Sequence, residues 1–177
     1  MGKNELKVSE IMKFSRHDHM NDMQLLLMYL DMGKYQEAKE CILEKTSEMQ
    51  QFAMLQKLGL PNTEEWLMTL DWKYPAFNSR LHCDIASDVS SPTIDAILVG
   101  YLEDLVKTVM PRIDQYAECT VMIDVVTTAL AWSIKLSFSD IQGISLHNTE
   151  NSSLLTVEIL DEQDQWTVIL SGKLGGL

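Results

Sequence analysis

With 177 residues, 46% of them hydrophobic, the chain has room for one ordinary domain or two small ones and enough apolar content to build a real core. Its formal charge of −12 and pI near 4.6 argue against a nucleic-acid partner, whose phosphates an acidic surface repels. Met1 to Glu10 is polar and lacks the apolar core of a signal peptide, and no apolar run is long enough to span a bilayer, so the expected location is cytoplasmic and off the membrane.

The stretch from Ser9 to Leu30 contains neither Pro nor Gly, is rich in Met, Leu and polar helix formers, and reads as one helix. Residues three or four apart share a helix face, so Lys13, His17, Asn21 and Gln24 form a polar stripe with Asp18 on its edge. Leu25, Leu26, Leu27, Met28 and Leu30 nearly encircle the same helix further on. Gly33 can supply the left-handed residue that closes it. A second helix is predicted from Lys34 to Leu58, with Tyr35, Ala38, Ile42, Met49, Phe52 and Leu55 as its apolar stripe. Two helices joined by so short a turn make an antiparallel hairpin. An all-round apolar helix has to be covered on several sides, and pairing two hairpins into a four-helix bundle does that; the expectation is a homodimer.

Gly59-Leu60-Pro61 punctuates the chain and places a boundary between residues 1–60 and 61–177. Asn62-Thr63-Glu64-Glu65 reads as a capping box opening a short helix from Trp66 to Trp72, stopped by Pro75. Leu81, Cys83 and Ile85 alternate with His82 and Asp84 as a half-buried strand does. Ser90-Ser91-Pro92 opens a helix whose stripe runs from Ile94 through Leu98, Leu102 and Leu105 to Ile113 and Tyr116, kinked or shortened at Pro111. Strands are predicted over Cys119–Val126, Trp132–Phe138, Leu154–Leu160 and Trp166–Leu170. The fold class is therefore α+β: an N-terminal helical hairpin followed by an α/β sandwich with helices on one face of a mostly antiparallel sheet. Cys41, Cys83 and Cys119 are odd in number and widely spaced, which suggests neither a disulfide framework nor a metal site; His82 and His147 read as surface residues.

The chemistry lies in the polar stripe. A neutral imidazole is a nucleophile near pH 7. Asp18 can accept a hydrogen bond from one ring nitrogen of His17 and leave the other to attack, while Lys13 and Arg16 suit the oxygens of a phosphoryl group. Asn21 can orient a partner group or a water. Read from spacing alone, His17 is an ordinary solvated helix histidine. However, Arg16-His17-Asp18-x-Met20-Asn21-x-x-Gln24-Leu25, followed by Leu30 and Lys34-Tyr35, resembles the phosphoacceptor helix of the sporulation-initiation phosphotransferase B family. Its Arg-His-Asp-x-x-Asn core is shared with citrate-type sensor histidine kinases. His19 stands where that family's pattern has a bulky aromatic.

The C-terminal half resembles, in element order, a reduced histidine-kinase ATPase domain. It departs from that pattern where nucleotide would bind. Phosphate-cradling loops need closely spaced glycines, yet Gly143 is the only glycine between Gly100 and Gly172, and the segment Tyr101 to Lys107 carries no Asn. Gly172, Gly175 and Gly176 sit at the end with no helix after them. The resemblance implies a phosphotransferase without ATP dependence and without a cofactor of its own. His17 would accept a phosphoryl group from the aspartyl phosphate of one response regulator and pass it to the aspartate of another in the relay that starts sporulation. It further implies His17, Asp18 and Asn21 as the catalytic set, Lys13, Arg16 and Gln24 as partner contacts, receiver domains as partners, and Mg²⁺ supplied by the regulator. The alternative is a non-catalytic dimeric module, derived from a sensor kinase, that binds a response regulator.

Overall fold

The computed structural model describes residues 6–113, 118–139, 141, 154–162 and 165–174. Tyr116 and His147 lie outside the described residues, as does Gly143. The chain forms two compact units, Met1–Gln50 and Gln51–Leu177.

The first unit holds α1 (Val8–Asp31) and all but the last turn of α2 (Tyr35–Leu55). The carboxylate of Glu10 accepts the Lys7 N–H at 2.8 Å and so satisfies one of the donors that the start of α1 leaves open. At the other end Gly33 takes φ 71°, its N–H reaches Leu30 O at 3.0 Å, and the Lys34 N–H reaches back to Tyr29 O at 2.8 Å. That paired closure requires a left-handed residue, which glycine adopts without a Cβ clash.

The inward face of α2 differs from the predicted stripe. Ala38 and Cys41 are the buried residues among the described part of this unit, followed by half-buried Lys45 and Glu48. Tyr35, Ile42, Met49 and Phe52 stay exposed. Lys45 spans the gap to Asp22 of α1 at 3.4 Å while donating to Glu48 at 3.1 Å. Burial alone would push the Lys45 ammonium pKa down; the Glu48 and Asp22 carboxylates outweigh it and hold the pKa above the ordinary value.

In the second unit α2 stops three residues short of the predicted Leu58, because Lys57 and Leu58 bond back by three residues and tighten the last turn. Gly59 follows at φ 73°, and a Cβ there would come within 2.6 Å of the Ser90 hydroxyl. Its absence of a side chain serves both the backbone and the neighbouring loop. Helix α3 (Pro61–Met68) starts five residues before the predicted Trp66, with Pro61 in its first turn. Asn62 and Thr63 do not open a local capping box. Instead their N–H groups donate to Asp95 at 3.0 and 2.8 Å, and their side chains at 2.7 Å each. A short α4 (Leu70–Lys73) completes the predicted Trp66–Trp72 region as two helices broken at Thr69.

Strand β1 (Phe77–Ile85) runs parallel to β2 (Cys119–Thr127). Parallel neighbours need a crossover, and α5 (Pro92–Val109) makes it; Pro111 falls in the single 3-10 turn that ends this helix. Strands β3 (Ala131–Ser139), β5 (Gln165–Lys173) and β4 (Thr156–Glu162) add on antiparallel, giving the order β1-β2-β3-β5-β4. Val121, Ile123 and Val125 of β2, Ile134, Leu136 and Phe138 of β3, and Val168 and Leu170 of β5 share one core with Leu98, Leu102, Leu105 and Val109 of α5. Each such side chain contributes roughly 1.5–3 kcal/mol by leaving water. The edge strand β1 is capped by side chains: the Ser79 N–H donates to Asp71 at 3.0 Å and the Cys83 N–H to Gln51 at 2.7 Å. Cys41, Cys83 and Cys119 are all buried thiols, and burial, with Asp124 nearby, pushes the Cys83 thiol up to about 12.

Candidate phosphoacceptor site on the first helix

The unbroken helical run of α1 carries Lys13, His17, Asn21 and Gln24 on its exposed surface, as the spacing requires. The His17 side chain is 70% exposed. Two side chains converge on one of its atoms. The Asp18 carboxylate lies 3.3 Å from Nδ1, and the Asn21 amide nitrogen lies 3.3 Å from the same Nδ1. Nε2 is the nitrogen left to meet an incoming group.

His19 is held differently. Its Nδ1 lies 2.7 Å from the Ser15 carbonyl oxygen, which can only accept, so the proton sits on Nδ1 and Nε2 keeps its lone pair. This contact one turn back was not legible in the sequence, because any residue type offers a carbonyl. Arg16 and Gln24 do not gather around the His17 ring. They line an open groove of about 350 Å³ along α1 together with His19, Met20, Met23 and Leu27. The predicted site residues thus divide into a chemical set, His17 with Asp18 and Asn21, and a groove set, Arg16 with Gln24. Lys13 lies one turn before His17 on the exposed surface.

His82, 3.6 Å from Asp124, and Lys135, 4.0 Å from the same carboxylate, share the solvent face of the sheet. All three side chains are partly exposed, in line with the surface role expected of His82. Among the described residues no cluster of three or more His, Cys, Asp or Glu side chains is placed to hold a metal ion, and no described helix is long and apolar enough to cross a membrane.

Solved structures similar to this chain include the Acinetobacter baumannii histidine kinase AdeS, at 9% identity over 90% of this chain and 98% of that one, with a TM-score of 0.43. Another is the histidine kinase ThkA in complex with the response regulator protein TrrA, at 8% identity, 93% coverage of this chain and a TM-score of 0.43; the chain spans 61% of the length of that one. No curated protein matches the sequence. The family described as sensor kinase SpoOB-type, alpha-helical domain, matches residues 2–58, the segment that forms the hairpin and bears His17. The similarity to the SpoOB-type sensor-kinase family thus lies in the alpha-helical hairpin.

Proposed function

We propose that this chain is a phosphotransferase of a multi-step relay. In this reading His17 takes a phosphoryl group from the aspartyl phosphate of one response regulator and delivers it to the aspartate of a second, in the initiation of sporulation. The observation that carries the reading is an exposed imidazole with Nδ1 engaged and Nε2 open, on the helix of a SpoOB-type domain.

In the accepting step the Nε2 lone pair attacks phosphorus, the N–P bond forms, and the bond from phosphorus to the aspartyl oxygen breaks, its electron pair leaving with the carboxylate. The ring keeps the Nδ1 proton and becomes cationic, and Asp18 at 3.3 Å stabilises that charge. Delivery to the second regulator is the same step reversed. Acyl phosphate and phosphoramidate are both reactive, so the work of the protein is positioning and charge compensation. Lys13 and Arg16 meet phosphoryl or receiver oxygens, and Gln24 belongs to the docking face. The receiver supplies the Mg²⁺.

We further propose that two hairpins pair into a four-helix bundle. Support comes from the apolar side chains that one hairpin leaves exposed: Met12, Met23, Leu27 and Leu30 on α1, and Tyr35, Ile42 and Met49 on α2. The second unit is read as a kinase ATPase domain that has lost nucleotide binding, on the strength of its missing glycines and asparagines.

The test is transfer of labelled phosphate from a phosphorylated receiver domain to the wild type and to His17→Gln, with ATP alone as control. Label on the wild type only, and only from the receiver, is the expected result. Label arriving from ATP would make the chain a kinase, and no label from any source would leave the regulator-binding module as the function.

A further inference from the structure

The Nδ1 atom of His17 has one position in the ring plane, which holds either a proton or a lone pair. The Asp18 carboxylate can only accept, so its contact at 3.3 Å favours the form with the proton on Nδ1. The amide nitrogen of Asn21 can only donate, so its contact at 3.3 Å favours the form with the lone pair on Nδ1 and the proton on Nε2. With the amide in this orientation, its NH2 toward the ring, both cannot be satisfied together. The first form leaves Nε2 nucleophilic; in the second, a proton occupies the lone pair that would attack.

We propose that Asn21 is a positioning residue that sets the tautomer of His17 in competition with Asp18 and thereby gates attack through Nε2. This rests on the reading of His17 as the phosphoryl acceptor. At rest the Asn21 N–H holds part of the population with the proton on Nε2. Switching form takes a proton from water onto Nδ1 and then returns the Nε2 proton to water, so the ring passes through the imidazolium and is neutral at both ends of the exchange. A regulator that draws the Asn21 amide to itself removes the donor from Nδ1, and Asp18 then completes the nucleophilic form. The acidic neighbour and the amide one turn on are thus opposed settings on a single atom. The i+4 spacing brings Asn21 under the ring, and Asp18, the next residue in the chain, turns its carboxylate to the same nitrogen.

Imidazole nitrogen shifts in the ¹⁵N-labelled full chain, read at about pH 8.5 where an ordinary imidazole is neutral, report the tautomer directly. His17 is identified among the four histidines by the signals lost in His17→Gln. Asn21→Ala should lower the ratio of the Nε2–H to the Nδ1–H form by roughly two- to tenfold, the scale of one hydrogen bond. Asp18→Ala should raise it by a similar factor. Asn21→Asp, which offers acceptors only, should shift it at least as far as alanine does. His19, fixed by a carbonyl, should keep its proton on Nδ1 in every variant, which separates this effect from a general loosening of the helix. A ratio unchanged in Asn21→Ala, or moved in the same direction as by Asp18→Ala, overturns the proposal. No regulator and no phosphate enter this measurement, so its failure is distinct from a failure of label transfer.

Discussion

The two units of this chain solve opposite problems. In the second, a long sequence of apolar side chains, from Leu55 and Trp66 through Leu102 to Val168 and Leu170, closes into one core within the unit itself. In the first, among the described residues, only Ala38 and Cys41 are buried; Ile11, Phe14, Leu26 and Tyr29 are half-buried, and many other large apolar side chains, such as Met12, Leu27, Leu30 and Ile42, are exposed. The contrast teaches that apolar content and burial are separate quantities. Where a unit carries apolar surface it does not bury, that surface is available for another molecule, and the polar stripe beside it is available for chemistry.

The sharpest way to break that contrast is to remove equivalent side chains from the two units. Leu102→Ala empties a fully buried position of α5 and should cost about 2–5 kcal/mol of unfolding free energy, read from denaturant midpoints. Leu27→Glu alters an exposed position of α1 and should leave that free energy of the isolated chain within about 0.5 kcal/mol. If two hairpins pair as proposed, however, the same substitution should shift the sedimenting species from dimer to monomer. A destabilisation of several kcal/mol by Leu27→Glu in a monomer would mean that the hairpin has a core of its own after all.

Next in size is the buried carboxylate that ties α3 to α5. Burial would raise the pKa of Asp95, but the hydrogen bonds from Thr63 and Asn62 outweigh that and hold it below the ordinary carboxylate value. A depressed folded-state pKa means that the stabilisation is fully present above the unfolded value of 3.8 and is lost as the pH falls from there through the folded value. Asp95→Asn should cost about 1.5–3 kcal/mol at pH 7. It should also flatten the part of the acid limb below pH 3.8 that Asp95 supplies, and an unchanged limb would count against the carboxylate as the cap. Glu103→Gln is the milder case. It weakens the acceptors of Trp66 Nε1 at 2.7 Å and Tyr74 OH at 2.9 Å, and should cost about 1 kcal/mol. It should also lower the Tyr74 titration, which burial and Glu103 now push up to about 12.

The same contacts explain what the sequence disclosed and what it withheld. The limits of α1 were legible because both are set locally, by an uninterrupted helical run and by Gly33. The strands were legible because alternation such as Val121, Ile123 and Val125 is itself the record of one buried face. The start of α3 was only partly legible: Glu64 of the local Asn62-Thr63-Glu64-Glu65 pattern does accept the Leu60 N–H at 3.0 Å, but the Asn62 and Thr63 N–H groups are taken by Asp95, which is distant in sequence. The inner face of α2 was only partly legible, Ala38 and Leu55 of its stripe being buried, for a related reason. Tyr35, Ile42, Met49 and Phe52 show by their spacing that something should cover them, but periodicity does not say whether the cover lies in the same chain. At the candidate site, spacing placed His17, Asp18 and Asn21 together; it could not say that both neighbours reach the same nitrogen.

The smallest effect comes from an ion pair that joins the two helices within the hairpin. Lys45 is partly exposed, so water and salt screen its attraction to Asp22 and Glu48, and its contribution should be about 0.2–1 kcal/mol. Its folded pKa is raised, so that contribution is present below the unfolded value of 10.5 and lost as the pH rises through the folded value above it. Lys45→Met keeps the length of the side chain and removes the charge. In the isolated chain it should cost no more than that amount, and the cost should vanish in high salt. In a bundle of two hairpins the same position is held by packing from both copies, and the added apolar surface should leave the assembled species as stable as the wild type, or more so. A loss of several kcal/mol that persists in high salt would place Lys45 in a buried network, and the first unit would then resemble the second far more than its exposed side chains indicate.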